Sequence, residues 1–212
     1  MRDSDFDHRE TAMLSLLNPL IFPLVPHHAR AGLAALWQAN ARFALAAREG
    51  KEPVLRQIKL RWWADQLAVL KAGGWHPDPL LTSLAHDLLP HISGHELSAL
   101  AEGRMAISLD GQSENCDAGA LLFTMSGRML GCDSAILVDA GQAWAGIEQA
   151  LVSGDSNDWA AHQARFAGVK ISELPRALAA LTGLASTIAR AKGRRALRRE
   201  QWSILRIGLF GR

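Results

Sequence analysis

Tyrosine is absent from this 212-residue chain and β-branched residues are sparse. Strands draw on both kinds of residue, whereas the abundant Ala and Leu favour helices. Long apolar runs are missing too. Arg128 interrupts the best one, near Leu121, and Asp139 interrupts the next, so no segment reaches the length of a bilayer span. Cysteine occurs twice, as Cys116 and Cys132, with no metal-type spacing and no secreted context around it. Two reduced thiols in a cytoplasmic protein are therefore expected. The opening MRDSDFDHRE has no apolar signal core and is too acidic for a transit peptide. The sequence also contains no nucleophile elbow, no Gly-rich phosphate loop and no zinc-protease helix, which removes the commonest hydrolase and nucleotide-binding classes.

What remains is a chain of the size of one domain, able to bury a sizeable core. Its hydrophobic periodicity predicts a single all-α bundle of eight to ten helices. A short helix is expected over 8–17. The three prolines of NPLIFPLVP, 18–26, impose an extended or turned apolar segment that packs down. A long helix follows over 29–49, with Leu33, Leu36, Trp37, Phe43 and Leu45 inward. The next, 55–72, opens after Pro53 and closes at Gly73-Gly74. Its Leu55, Ile58, Trp62 and Val69 form one strip, and Leu60, Trp63, Leu67 and Leu70 the adjoining one. Two adjacent Trp point about 100° apart on a helix, so this helix is expected to lie between two packed layers. Pro77 and Pro79 suit the start of a helix that ends at Pro90. Ser93 and Glu96 form a capping box for a helix to 108. A loop spans 110–115. The helix over 117–131 carries Gly119 and Gly127, where a neighbour can approach closely. Asp133-Ser134 caps a helix to 152, GDSND at 154–158 is a surface break, Ser172 caps a helix to 192, and a last helix covers 195–209.

Two stretches carry a family resemblance. IKLRWWADQLAVLKAGGWHPDPLLTSLA, 58–85, with its Trp pair and His-Pro, and RAGLAALWQAN, 30–40, resemble the squalene/phytoene synthase family. The resemblance covers about 30–131 and fades at 154–158. It implies the isoprenoid-synthase all-α fold and a head-to-head condensation of prenyl diphosphates. In that family two acidic motifs on facing helices hold Mg²⁺ against the diphosphates, which need their charge offset before they leave. Aligned through Asn40, the first motif's two Asp positions fall on Ala44 and Arg48, neither of them a Mg²⁺ ligand. The second motif's place, at the end of the helix over 133–152, offers Glu148 alone. The family's Gly-Arg-x-Tyr-Leu-Pro-like stretch is missing. SGRMLG, 126–131, resembles the family's Ala-Gly-x-Val-Gly stretch but carries Arg128. The stretch 39–47 looks most like the branch that includes respiratory complex I assembly factors.

The resemblance thus implies a degenerate member, without a catalytic residue, a metal or another cofactor, whose apolar cavity binds an isoprenoid or other lipid. Trp37, Asn40, Ala44, Arg48, Trp62, Trp63, Asp65 and Arg128 are the candidate lining. For Asp65 the competing expectation is an exposed face shared with Lys59 or Arg61, and for Arg128 a side chain that snorkels to water. Of the histidines, His27-His28 sits where a helix N-terminus can meet an anion. His91 and His95 have metal spacing only on a shared helix, against which Pro90 and Gly94 argue. His76 belongs to the His-Pro junction and reads as structural. Asp155 and Asp158 are spaced like half an acidic motif but lie in a loop.

Charge separates the end of the chain from its body. Residues 192–212 hold seven basic residues and one acid, a balance of +6, whereas the other 191 hold 16 basic and 20 acidic, a balance of −4. Around an apolar strip of Leu197, Trp202, Leu205 and Leu209 stand Arg194, Arg195, Arg198 and Arg199, a pattern suited to an anionic membrane surface. The competing expectation is that the strip closes the bundle. Two further readings stay open at this point. One is an active, Mg²⁺-dependent prenyl transferase with acids drawn from Asp110, Asp117, Glu148 and Asp155. The other is a module that binds a protein partner or nucleic acid through its basic tail, the latter disfavoured because Trp202 alone offers a stacking surface.

Overall fold

A computed structural model of the chain describes residues 19–49, 52–110, 117–153 and 158–210; for 19, 106–110, 117, 153 and 209 it describes the backbone alone. The expected helix over 8–17, Cys116 and Asp155 lie outside the described residues. Among those residues helices and the turns between them make up the chain, with no strand, and form one all-α bundle. The helices are α1 (His27–Ala46), α2 (Pro53–Ala68), α3 (Pro79–Asp87), α4 (Gly94–Asp110), α5 (Asp117–Met129), α6 (Ile136–Ser153), α7 (Trp159–Arg165), α8 (Arg176–Arg190) and α9 (Leu197–Phe210). Two 3-10 turns, Pro19–Leu24 and Ile171–Glu173, complete it.

Packing follows the small residues. A Cβ on Gly119 of α5 would collide with the Gly141 carbonyl of α6, and one on Gly141 with the Gly119 carbonyl, so these helices meet backbone to backbone. Gly183 of α8 leaves room for Ile207 of α9, and Gly208 of α9 for Leu24. Helix α8 is buried almost along its whole length, from Ala177 to Ala189, with α5, α6, α7 and α9 around it. The proline-rich segment does pack down, with Ile21 and Val25 buried, and takes the form of a 3-10 turn. At the start of α4, Ser93 N–H donates to Glu96 Oε2 at 2.9 Å and Glu96 N–H to Ser93 Oγ at 3.3 Å, the reciprocal arrangement of a capping box.

Several expectations need correction. Helix α2 buries one face only. Leu60, Trp63, Ala64 and Leu67 point inward, against α4 and α1, while Leu55, Ile58, Trp62 and Val69 are exposed. It lies at the edge of the bundle rather than between layers. It also ends at Ala68, before Gly73-Gly74. Gly73, at φ +70°, instead turns the chain so that its N–H reaches the Ala85 carbonyl at 2.9 Å. Pro79 opens α3 in its first turn, as expected, and Asp78 caps the helix through Oδ1 to the Leu80 N–H at 2.8 Å. Ser172 lies in a 3-10 turn, and α8 begins after Pro175, whose missing N–H suits a helix start. Asp158 caps the short α7, which periodicity had not revealed, by accepting the Ala161 N–H at 3.0 Å.

Candidate functional site

At the centre of the bundle a polar cluster links three helices. Asn40, Ala44 and Arg48 recur every fourth residue along one face of α1 and its closing turn. Arg104 of α4 and Glu148 of α6 meet that face. The Arg104 guanidinium donates to Asn40 Oδ1 through Nη2 at 2.8 Å and Nε at 3.3 Å, and to Glu148 Oε2 through Nη2 at 2.8 Å. Asn40, Arg104 and Glu148 are all buried. Burial holds the Arg48 guanidinium below its usual range; the nearby Glu148 carboxylate opposes that shift and Arg104 adds to it. Arg104 thus holds the Glu148 carboxylate directly, and the half-buried Arg48 feels its charge from nearby. Around them Trp37 is buried, donates through Nε1 to Ser126 Oγ at 3.1 Å, and meets Phe22 edge-on. Trp144, one turn before Glu148, lies against Phe123, and its Nε1 has no hydrogen-bond partner among the described residues.

This arrangement bears on the magnesium that the active prenyl-transferase reading requires. Where an acidic motif would stand there is Ala44, which has no donor atom, and Arg48, a cation. Among the described side chains at this place the carboxylate is Glu148, with an oxygen already held by Arg104. Mg²⁺ needs several oxygen ligands in near-octahedral order, and these residues do not fit it. Asp110 and Asp117 are described in backbone only.

Of the candidate lining, Trp37, Asn40, Ala44 and Trp63 are buried and Arg48 is half-buried. The other three lie on the surface. Trp62 is 46% exposed. Asp65 pairs with Arg61 across one helical turn at 3.0 Å, and Arg128 pairs with Glu96 at 2.6 Å. Burial pushes the Glu96 carboxyl up, but the Ser93 N–H, Arg128 and the Ser93 hydroxyl outweigh it and hold it below the usual carboxylate range. His76 is structural. Its Nδ1 accepts the Asp78 N–H at 3.0 Å, which leaves Nε2 to donate to Gln66 Oε1 at 3.3 Å. Arg104 was not among the sequence candidates. Its signal was a single cation in the mostly apolar stretch SALAEGRMAIS, 98–108, which periodicity treats as an exposed position.

A second polar feature lies at the surface, where α8 hands over to α9. Helix α8 ends in a Schellman turn: Gly193 N–H reaches the Ile188 carbonyl at 3.0 Å and Lys192 N–H the Ala189 carbonyl at 2.9 Å. Lys192 adopts φ +52° and Gly193 φ +74°. The reversal opens a cleft of about 1050 Å³ between the last turn of α8, the connecting loop and the first turns of α9. Arg190, Lys192, Arg194, Arg198, Arg199 and Arg206 line it, with Trp202. Arg195 differs from its neighbours. It turns to Glu200, donating from Nε at 2.7 Å and Nη2 at 2.8 Å, and Glu200 also accepts the Ala196 N–H at 3.1 Å. That carboxylate is buried, so the cleft's one acid is neutralised from within. Helix α9 closes the bundle with Ile204 and Ile207, while Leu197, Leu205, Phe210 and Trp202 face outward, Trp202 at 73% exposure. Leu197, Trp202 and Leu205 of the apolar strip singled out in the sequence thus lie on the outward side of α9, and the Leu209 side chain lies outside the described residues.

Among the described residues no helix is long and apolar enough to cross a membrane, and no group of three His, Cys, Asp or Glu side chains is placed to hold a metal. Compared with protein-family models, with curated proteins and with solved structures, the chain matches none of them.

Proposed function

We propose that this protein is a catalytically silent lipid-binding bundle of the squalene/phytoene synthase type that docks on anionic membrane surfaces through the corner between α8 and α9. One observation carries the reading: six cations without an ion-pair partner among the described residues stand beside an outward apolar strip with Trp202 at its middle. On the outer side of α9 the cations alternate with the exposed apolar residues, so that in the headgroup layer Trp202 and Leu205 reach the acyl boundary while Arg198, Arg199 and Arg206 meet the phosphates. Each basic residue near an anionic surface contributes about 1 kcal/mol, so the group holds the protein reversibly and in a salt-dependent way. The catalytic silence rests on Ala44 and Arg48 at the places of the acids, and on Glu148 engaged by Arg104.

Co-sedimentation with vesicles tests it. The protein is expected to pellet with phosphatidylcholine vesicles that contain phosphatidylglycerol, not with phosphatidylcholine alone, and raised salt releases it. Changing Arg194, Arg198 and Arg199 together to Glu abolishes the pelleting. Arg195 is left in place because its loss would strand the buried Glu200 carboxylate. Equal pelleting of the variant and the parent on anionic vesicles overturns the reading. Salt-sensitive RNA binding without vesicle binding replaces it with a nucleic-acid role.

A further inference from the structure

Resting on that reading, we infer that the cleft between α8 and α9 is a built site for one phospholipid head group that carries two phosphates. The number and kind of its cations argue for this. A phosphodiester brings a single negative charge, which would leave most of Arg190, Lys192, Arg194, Arg198, Arg199 and Arg206 uncompensated around it. Five of these six are Arg, whose planar fork grips phosphate oxygens two at a time, where an ammonium acts as a point charge. The one acid in the wall, Glu200, is bound by Arg195 and the Ala196 N–H, so it does not repel an anion.

The backbone adds a separate observation. Lys192 occupies the left-handed position of the Schellman turn, at φ +52°, where Gly sits without strain. A long cationic side chain at that position strains the backbone, and Lys192 is among the residues that line the cleft. Such strain is a mark of functional positions. The source of the phosphates is a lipid, because Trp202 lines the same cleft and Leu197 and Leu205 are exposed beside it on α9. A free phosphate compound would leave all three in water.

The test compares vesicles of equal total charge in a phosphatidylcholine background. One set carries phosphatidylglycerol, with one phosphate per lipid, and the other carries cardiolipin, with two, at half the mole fraction. Engaging one or two more cations at a fixed site is expected to tighten binding to the cardiolipin set roughly tenfold. The Lys192→Gly variant relaxes the backbone and so folds at least as well as the parent, yet its preference shrinks; adding Arg198→Gln removes the preference. Inorganic pyrophosphate, titrated alone by calorimetry, binds more weakly than the cardiolipin vesicle. Equal binding to both vesicle sets, or a preference unchanged in the double variant, overturns the site and leaves general surface docking standing. Binding to neither set removes the docking as well. Pyrophosphate binding as tight as the vesicle's makes a free phosphate compound the ligand and overturns the lipid assignment.

Discussion

Replacing Arg104 with Met is expected to destabilise the protein by about 3–5 kcal/mol, because it breaks a buried charge pair from one side. The Glu148 carboxylate would stay buried with only the half-buried Arg48 to offset it, and Asn40 Oδ1 would lose both of its N–H donors. In a chain of this size such a loss lowers the melting temperature by roughly 10 °C. The double variant Arg104→Met/Glu148→Leu is expected to recover part of the loss, since an apolar pair of similar volume removes the stranded charge. Denaturant unfolding at neutral pH reads both. An Arg104→Met midpoint equal to the parent's would mean that the cluster does not tie α1, α4 and α6 together. A double variant less stable than Arg104→Met would mean that the stranded carboxylate is not what the single change leaves behind.

Trp63→Ala and Trp62→Ala are expected to differ sharply although the residues are neighbours. Trp63 is 7% exposed, lies 5.5 Å from Phe43 ring to ring, and has the Arg42 guanidinium 6.0 Å from its centroid. Truncation there removes a large apolar side chain and leaves a void, a loss of about 3–5 kcal/mol. Trp62, about 100° further round α2, is 46% exposed, and its recorded ring contact is the edge of Trp63 at 5.0 Å. Its truncation is expected to lose about 1 kcal/mol or less. Thermal unfolding of the two single variants checks the contrast. Equal losses would put α2 back between two packed layers.

That contrast also marks what the sequence made legible. Helical periodicity found the longer helices by their apolar faces but missed the seven-residue α7, and the capping box of Ser93 and Glu96 is a local pattern with a local structure. Gly119 was legible for a related reason: absence of a side chain permits one thing, a close approach. Periodicity does not say how many faces of a helix are covered. The strip Leu55, Ile58, Trp62 has the spacing of a buried face, and only the placement of α1 and α4 decides that it is open. The same holds for α9, whose outward strip scans as well as its inward one. The central cluster was half visible. Asn40, Ala44 and Arg48 came from the family-like pattern, and Glu148 from the place where a second motif was sought. Their partner Arg104 lies 64 residues from Asn40 and 44 from Glu148, and no local pattern announces a pair at such separations.

The proposed docking surface is that of α9, and Trp202 is its reporter. The full chain, mixed with anionic vesicles whose acyl chains are brominated near the glycerol backbone, should lose tryptophan fluorescence as Trp202 enters the headgroup boundary. The Trp202→Phe variant should still bind the vesicles but lose most of that quenching, while Trp62→Phe and Trp75→Phe should keep it. Quenching that survives in Trp202→Phe and disappears in Trp62→Phe or Trp75→Phe would place the contact around α2 and contradict the account, as would the absence of any quenching by anionic vesicles.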